Sequence, residues 1–344
     1  MADNSPSDPA RRPHTADDAL PPVEPPSGTF VLQLFFIPLL IVAMIVGGFV
    51  LVRWIAYAGS DPKDLVRDLR RLNDSSWQKA LNLANLLRNP QFDNVKDDSE
   101  LAGEIAAVLE SEIKAAKMDD SRLQLRLFLC RALGEFRVAD GLPALIHAAE
   151  EERDPKEISV RGSAVEAIAV LADKIGVESF QSNDKLFDVL DSAASSRSEV
   201  AQQKHMHDEL RSRAAFTLGV IGGPRALDRL ERMLSDSYVN VRYNAAIGLA
   251  RHGDFRAITA LLEMLNPDNT ALLENETSDS ERESKRLRVQ NAALEAVGQL
   301  AKKAPQRDEK QMAELMAAVK TLADKSTGHI HSKAKELGFI LQKQ

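Results

Sequence analysis

The stretch LRSRAAFTLGVIGGPRALDRLERMLSDSYVNVRYNAAIGLARHGDFRAITALLEML, residues 210–265, decides the fold of this chain. It holds two copies of one pattern, which begin at Leu210 and Val241. Each copy has an apolar residue followed by Arg, then two alanines, then Leu followed by a small residue. Because these positions recur with a period of 3.6 residues, each copy predicts an amphipathic helix. Glycines after each copy end the first helix, and an apolar second helix follows.

Further copies of the pattern extend over most of the chain. Two clear copies begin at Leu125 and Val160, a looser copy begins at Val289, and a degraded last copy begins at Ile330. The residues from Ser76 to Leu87 form an irregular first copy. No segment alternates apolar and polar residues with a period of two, so we expect an all-α protein without a sheet.

These residues resemble the HEAT-repeat family, in the short variety found in phycobilisome lyase-like proteins. Residues 210–223 look like the first helix and turn of that family, and residues 236–253 look like a full second copy. The resemblance covers most of 76–344. It implies a right-handed α-solenoid of about six to seven helix pairs, in which the second helices line the concave face.

The spacing between copies is uneven, which predicts inserts in the solenoid. Two long gaps contain polar inserts near 181–208 and 267–286. The second insert is nearly free of large apolar residues apart from Leu272 and Leu273, so we expect a mobile surface loop there. Residues 58–75 form a connector or a first helix before the repeats.

An apolar segment before the repeats predicts a single membrane-spanning helix over 30–57. Residues 34–52 include no charged or strongly polar side chain, and as a helix this stretch is about as long as a bilayer core is thick. Trp54 and Tyr57 suit the headgroup boundary. Lys and Arg cluster after the segment, so the positive-inside rule places the N-terminus outside and the solenoid in the cytoplasm. A cleaved secretory signal that ends near Ala58 is the alternative.

The first 29 residues form an acidic tail. They hold seven prolines, five acidic residues and two basic residues. Such a composition cannot bury enough apolar surface to offset the entropy of ordering. We therefore expect residues 1–29 to be disordered.

The net charge and the cysteine content argue against some classes of protein function. The 344 residues include 44 Lys and Arg against 51 Asp and Glu, for a net charge of −7. A protein that neutralises nucleic-acid phosphates needs a surplus of basic residues on one face, so nucleic-acid binding is disfavoured. The single cysteine, Cys130, cannot form an intramolecular disulfide and is interpreted as a small core residue.

A row of arginines occupies the second position of each clear copy. The row consists of Arg126, Arg161, Arg211 and Arg242. In the resembled family such arginines pair with aspartates to link adjacent repeats, and here Asp120 and Asp236 precede Arg126 and Arg242. Bidentate, charge-assisted pairing explains the preference for Arg over Lys. A row that binds anions is the alternative.

No constellation of catalytic or metal-ligating residues is recognisable. The close histidine pairs His205/His207 and His329/His331 have a spacing that suits zinc on a strand better than on a helix. One branch of the resembled family binds iron through His-Glu pairs, and no His here precedes Glu. We therefore assign no catalytic, cofactor-binding or metal residue, and expect no enzyme, cofactor or small-molecule substrate. A lyase-like enzyme on the same scaffold is a weaker alternative.

The function that these features favour is a membrane-anchored scaffold or adaptor for protein–protein interaction. The identity of the protein partner is not encoded in any motif. Second-helix residues are the candidates for contact with it, namely Arg229, Arg232, Arg256 and Glu263. An assembly factor or chaperone for a membrane complex is the alternative with the same architecture.

Overall fold

The computed structural model describes residues 27–57, 62–69, 73, 75–273, 276–303 and 309–342. The chain divides into two compact units, Met1–Ser60 and Asp61–Gln344. The described residues form helices and turns, with no strand among them. Most of the predicted acidic tail, residues 1–26, lies outside the described residues.

In the first unit the described residues 27–57 contain the helix α1, which runs from Gly28 to Tyr57 and includes Pro38. Within this helix the segment Leu32–Val52 is long and apolar enough to cross a membrane, and none of it is buried. A helix that is apolar on every side needs a non-aqueous environment around it. A signal sequence near an N-terminus shares these properties. The predicted N-terminal apolar helix is therefore present.

The second unit contains the repeats. Its α-helices are α2 (Pro62–Leu69), α3 (Ser76–Arg88), α4 (Ser99–Ala115), α5 (Asp120–Gly134), α6 (Leu142–Glu150), α7 (Ile158–Ile175), α8 (Glu178–Gln181), α9 (Asp184–Ser195), α10 (Ala201–Ile221), α11 (Gly223–Met233), α12 (Val239–Arg251), α13 (Ile258–Leu265), α14 (Asp279–Lys303), α15 (Glu309–Lys325) and α16 (Gly328–Gln342). Short 3-10 helices span Pro90–Val95, Ala139–Gly141, Pro155–Glu157, Phe255–Ala257 and Ala271–Leu273.

These helices form two layers. The first helices of the repeats are α3, α5, α7, α10, α12, α14 and α16, and each packs against the next in this order. The second helices are α4, α6, α9, α11, α13 and α15. The described residues thus contain six helix pairs followed by α16, while α2 packs on α3 and α4 at the other end. This arrangement confirms the predicted all-α solenoid.

Helix ends follow local chemistry. Asp98, Asp119 and Asn183 cap α4, α5 and α9 by accepting hydrogen bonds from backbone N–H groups in the first turn. Gly222 ends α10 with φ at +66° and ψ at −156°, a conformation that suits only glycine. A Cβ at Gly222 would lie 2.3 Å from the ring of His252. The turn between α10 and α11 therefore requires glycine both for its backbone and for its space.

Small residues let the first helices approach one another closely. A Cβ on Gly219 of α10 would lie 2.7 Å from the Cα of Gly248 on α12. Side chains then reach across to the neighbouring backbone: Thr217 Oγ1 donates to the carbonyl oxygen of Val165 at 2.9 Å. These contacts explain the Ala-rich and Gly-rich first-helix pattern of the sequence, since bulkier residues would push neighbouring first helices apart.

The two predicted inserts have different structures. Residues 181–208 contain α9, which buries Leu186, Leu190 and other apolar residues in the core, and the start of a long α10 of 21 residues. Residues 267–286 contain a short 3-10 helix and the start of α14, which has 25 residues. Leu272 and Leu273 are buried. The expectation of a solvent-facing loop is therefore wrong at these two leucines, which hold the segment against the repeats.

Candidate protein-binding surface

The arginine row lies between the repeats and is almost wholly buried. Arg126 and Arg211 are each 1% exposed. Arg126 donates to Glu157 Oε1 at 2.8 Å and to the carbonyl oxygen of Lys117 at 3.0 Å. Arg211 binds both carboxylate oxygens of Asp236 at 2.9 Å. Since Glu157 and Asp236 belong to the following repeats, these pairs join successive helix pairs.

The other two arginines differ in burial. Arg161 is buried and contacts Glu152 at 2.8 Å and the carbonyl oxygen of Ala149 at 3.1 Å. Arg242 is partly exposed and donates to Glu263 Oε1 at 3.0 Å. Protein carboxylates neutralise all four guanidinium groups. The arrangement therefore supports the ladder interpretation over a row that binds solvent anions.

Of the two aspartates named for the ladder, Asp236 pairs with an arginine of the row and Asp120 does not. Asp236, which precedes Arg242, is a partner of Arg211 in the repeat before it. Asp120 is exposed at the start of α5, and Glu157 takes its place as the partner of Arg126. Burial alone would raise the pKa of Glu157, but hydrogen bonds from Arg126 and from backbone N–H groups hold it below its usual value.

Asp236 shows the same balance of effects. Burial would raise the pKa of this carboxyl group, whereas hydrogen bonds from Arg211 and from the backbone of Tyr238 lower it, and the lowering prevails. Arg197 adds a further contact at 3.1 Å. The carboxylate of Asp236 therefore contacts both the preceding repeat, through Arg211, and the loop before α10, through Arg197.

Two histidines of the close pairs make hydrogen-bond contacts within the protein. His207 Nδ1 lies 2.7 Å from Ser196 Oγ, and His331 Nδ1 lies 2.7 Å from the carbonyl oxygen of Ala323. Within the described ranges no group of three His, Cys, Asp or Glu side chains is close enough to hold a metal ion. Burial raises the pKa of Cys130 to about 12, so its thiol is not a nucleophile at neutral pH.

Most of the second-helix residues predicted to contact a partner are engaged within the solenoid. Arg229 donates to the carbonyl oxygen of Asp191 at 3.3 Å, and Arg256 contacts Asp228 at 3.3 Å. Glu263 accepts from Arg242 and from the hydroxyl of Tyr243.

The fourth predicted contact residue, Arg232, is exposed and forms no ion pair with any residue that the structure describes. The second-helix layer is thus cross-linked by its own charges. The other layer offers a more open surface.

A groove lies on the first-helix layer because neighbouring first helices begin at different points relative to the repeat pattern. Relative to the repeat pattern, α5 begins five residues before Leu125, α7 two residues before Val160, and α10 nine residues before Leu210. Helix α7 therefore begins later in the repeat pattern than the helices on either side of it. The gap beyond the start of α7 is one helix diameter wide, about 10 Å.

The groove has apolar walls and a polar floor. Its cavity volume is about 460 Å³. The lining residues are Asp120, Leu123, Gln124 and Leu127 from α5, Pro155, Lys156 and Ser159 from the floor, and Gln203 and Met206 from α10. A smaller cavity continues from Ser159 and Met206 along α7 and α10, past Gly162, Glu209 and Arg213. Met206 belongs to both cavities and is 39% exposed.

These groove residues were not among the predicted contact residues. One signal for them was available: Leu123 and Leu127 lie on the face of α5 opposite the buried Leu125 and Leu129, so the helix is apolar on two sides. Met206 gave no comparable signal, because it lies in a polar stretch that the sequence indicated only as part of an insert.

Comparison with known proteins agrees with the repeat pattern. A family model for HEAT repeats matches residues 194–277. No curated protein matches the chain. Among solved structures, human deoxyhypusine hydroxylase in complex with glycerol is similar over 82% of this chain and 96% of its own, with 15% identity and a TM-score of 0.27. The X-ray structure of Escherichia coli YibA is similar over 81% of this chain and 97% of its own, with 18% identity and a TM-score of 0.31.

Proposed function

We propose that this chain, an α-solenoid built from HEAT repeats, is a scaffold that α1 anchors in a membrane and that binds a partner protein. The observation that carries the proposal is the groove between α5, α7 and α10, where Met206 is exposed and Leu123 and Leu127 are partly exposed. Apolar surface of this kind, rimmed by polar residues, is typical of protein-binding sites. The proposal assigns no reaction to the chain.

The membrane part of the proposal rests on α1. Its exposed apolar side chains over Leu32–Val52 match the thickness of a bilayer. Arg53, Lys63 and Arg67 follow the apolar stretch Leu32–Val52, whereas the basic residues before it, Arg11 and Arg12, lie far from it. The positive-inside rule then gives an N-terminus outside and repeats in the cytoplasm.

Cysteine labelling tests the orientation. Because Cys130 is buried, the native chain gives little background with a membrane-impermeant maleimide. Ser7→Cys should react in intact cells, and Ser235→Cys, at an exposed position, should react only after permeabilisation. The opposite pattern contradicts the orientation, and a mature chain that begins near Gly59 contradicts the anchor.

Site-specific photo-crosslinking tests the binding surface. A photoreactive phenylalanine at Met206 should yield a protein adduct in the membrane fraction, because this side chain lies in the groove. The same residue at Leu287, which is also exposed but lies on α14 away from the groove, is the control. Equal adducts from both positions, or none from Met206, would contradict a binding site in the groove.

A further inference from the structure

A segment of the chain itself fills a site that is built like the groove. We call residues 266–273 the strap. Its 3-10 helix, Ala271–Leu273, packs against α12 and α14. Leu272 is 2% exposed and Leu273 is 7% exposed, so both side chains are embedded in the surface that they cover.

Polar contacts hold the strap on both sides of its leucines. Asn269 Nδ2 donates to the hydroxyl oxygen of Tyr243 at 2.8 Å and to the carbonyl oxygen of Glu263 at 3.0 Å. Asp268 pairs with Lys325 on α15 at 2.5 Å. Beyond the strap, Glu276 pairs with Lys285 of α14 at 2.9 Å.

The strap site and the groove use equivalent positions of the repeat. Tyr243 lies two residues after Val241 in α12, and Gly162 lies two residues after Val160 in α7. Lys285 lies four residues before Val289 in α14, and Met206 lies four residues before Leu210 in α10. In both places, a first helix that begins well before its repeat pattern follows a first helix that begins only two residues before its own.

The equivalent positions differ in whether another segment of the chain contacts them. The strap and the residues that follow it contact Tyr243 and Lys285. Their counterparts in the groove, Gly162 and Met206, line open cavities. Glycine in place of tyrosine deepens this part of the groove, and the guanidinium group of Arg213 lies beside it.

Charge at the groove indicates the sign of an occupant. Lys156 is exposed on the floor and forms no ion pair with any described residue. The acidic residue in the lining, Asp120, lies in the first turn of α5, where the helix dipole favours a negative charge. Glu209 lines the adjoining cavity and accepts a hydrogen bond from the hydroxyl of Tyr238 at 2.5 Å. Lys156 is therefore the cation of this lining that has no ion-pair partner among the described residues.

We infer that the groove binds a short turn of a partner protein that carries two adjacent aliphatic side chains, as the strap does at its own site, followed by an acidic residue that pairs with Lys156. This inference deepens the proposed function and rests on it. The aliphatic pair fills the space between Leu123, Leu127 and Met206, and the acidic residue pairs with Lys156.

A peptide with the sequence of residues 266–276, NPDNTALLENE, is the probe. We expect the fluorescein-labelled peptide to bind the full chain in detergent micelles, as measured by fluorescence anisotropy. Replacing both leucines of the peptide by alanine should weaken binding about tenfold or more, because the buried aliphatic area is lost. Equal binding of the two peptides, or no binding of the first, overturns the inference.

Variants of the full chain locate the binding site. Met206→Glu should weaken peptide binding about tenfold or more, whereas Leu287→Glu, a charge at another exposed apolar position, should leave it unchanged. A peptide that merely displaced the strap from its own site would bind Met206→Glu as well as the wild type, and that result overturns the inference.

A charge exchange tests the acidic residue. Lys156→Glu should weaken binding of the original peptide, and a peptide with lysine at both glutamate positions should bind this variant better than it binds the wild type. If the wild type and Lys156→Glu bind the two peptides equally well, the proposed pairing of the acidic residue with Lys156 is wrong. Failure of every peptide, together with a persistent crosslink at Met206, refutes this inference and leaves the proposed function standing; loss of both refutes both.

Discussion

Gly219 of α10 and Gly248 of α12 meet backbone to backbone, so that a Cβ on Gly219 would lie 2.7 Å from the Cα of Gly248. We expect Gly219→Ala to lower the free energy of unfolding by about 1–3 kcal/mol, because the added methyl group must separate two first helices. Thermal denaturation followed by circular dichroism measures the change.

Gly103 provides the matched control for this substitution. It lies within α4, and a Cβ there would have open space around it. Gly103→Ala should raise the free energy of unfolding by about 0.4–1 kcal/mol through a less flexible unfolded chain. A similar response of the two glycines would show that close approach does not govern the first-helix layer.

The buried arginine row makes a prediction about charge. Arg211→Met would leave Asp208 and Asp236 buried without their cation. We expect a loss of about 3–5 kcal/mol in the free energy of unfolding, measured by urea titration. Arg282→Met is the comparison, since Arg282 forms an exposed pair with Asp279 that is worth about 0–1 kcal/mol. Equal losses would contradict the ladder.

Two partly buried histidines make stability depend on pH near neutrality. Burial lowers the pKa of His207 and of His252. In the unfolded chain a histidine has a pKa of about 6.5, so below that pH the unfolded state binds more protons than the folded state. The stability due to these neutral rings is complete above about pH 6.5 and is lost as the pH falls toward their folded pKa values.

The expected measurement is a Tm that decreases between about pH 7.5 and pH 5.5. In the double variant His207→Gln/His252→Gln, the decrease over this range should be smaller than in the wild type. Glutamine retains a donor for the carbonyl oxygen of Gly219, which His252 Nε2 contacts at 2.9 Å. If the Tm of the double variant decreases as much as that of the wild type, other titratable groups cause the decrease.

The groove makes a prediction that separates binding from stability. Met206→Glu changes an exposed side chain, so the Tm should remain within about 1–2 °C of the wild type. The photo-crosslinked adduct from a neighbouring groove position, Gln203, should nevertheless disappear. A large fall in Tm would show that Met206 supports the fold rather than a partner.

The apolar helix α1 makes a prediction about localisation. Val42→Arg with Ile45→Arg places two charges in the middle of Leu32–Val52, at a cost of about 2.5–3.5 kcal/mol for each arginine in a bilayer. We expect the double variant to move from the alkali-resistant membrane fraction to the soluble fraction. The conservative variant Val42→Leu with Ile45→Leu should stay in the membrane.

The sequence predicted the helix pairs because their cause is local. A repeated pattern of Ala, Leu and Gly determines which face of each first helix is buried, and the copies at Leu210 and Val241 show it directly. The sequence did not identify the partner of Arg126: Asp120 precedes it along the chain, whereas Glu157 reaches the arginine from the following repeat. Proximity along the chain does not reveal a contact made between repeats.

The groove was beyond sequence reasoning for a related reason. It exists because α10 starts further before its pattern than α7 does, and the points at which helices begin are poorly marked in the polar stretch 196–208. The buried leucines of the strap were visible as isolated apolar residues. Only the structure shows that they lie against α12 and α14.

Asp236 has a consequence for how this chain can evolve. Its carboxylate is contributed by one repeat and neutralises Arg211 of the repeat before it. Deleting the repeat that contains Asp236 would leave the buried Arg211 next to a repeat that has Ser284 at the equivalent position. Deleting the repeat that contains Arg211 would instead bring Arg161, at the same position of the pattern, next to Asp236. Loss of one repeat therefore requires a compensating substitution and loss of the other does not, so charge pairing as well as packing constrains which repeats can be lost here.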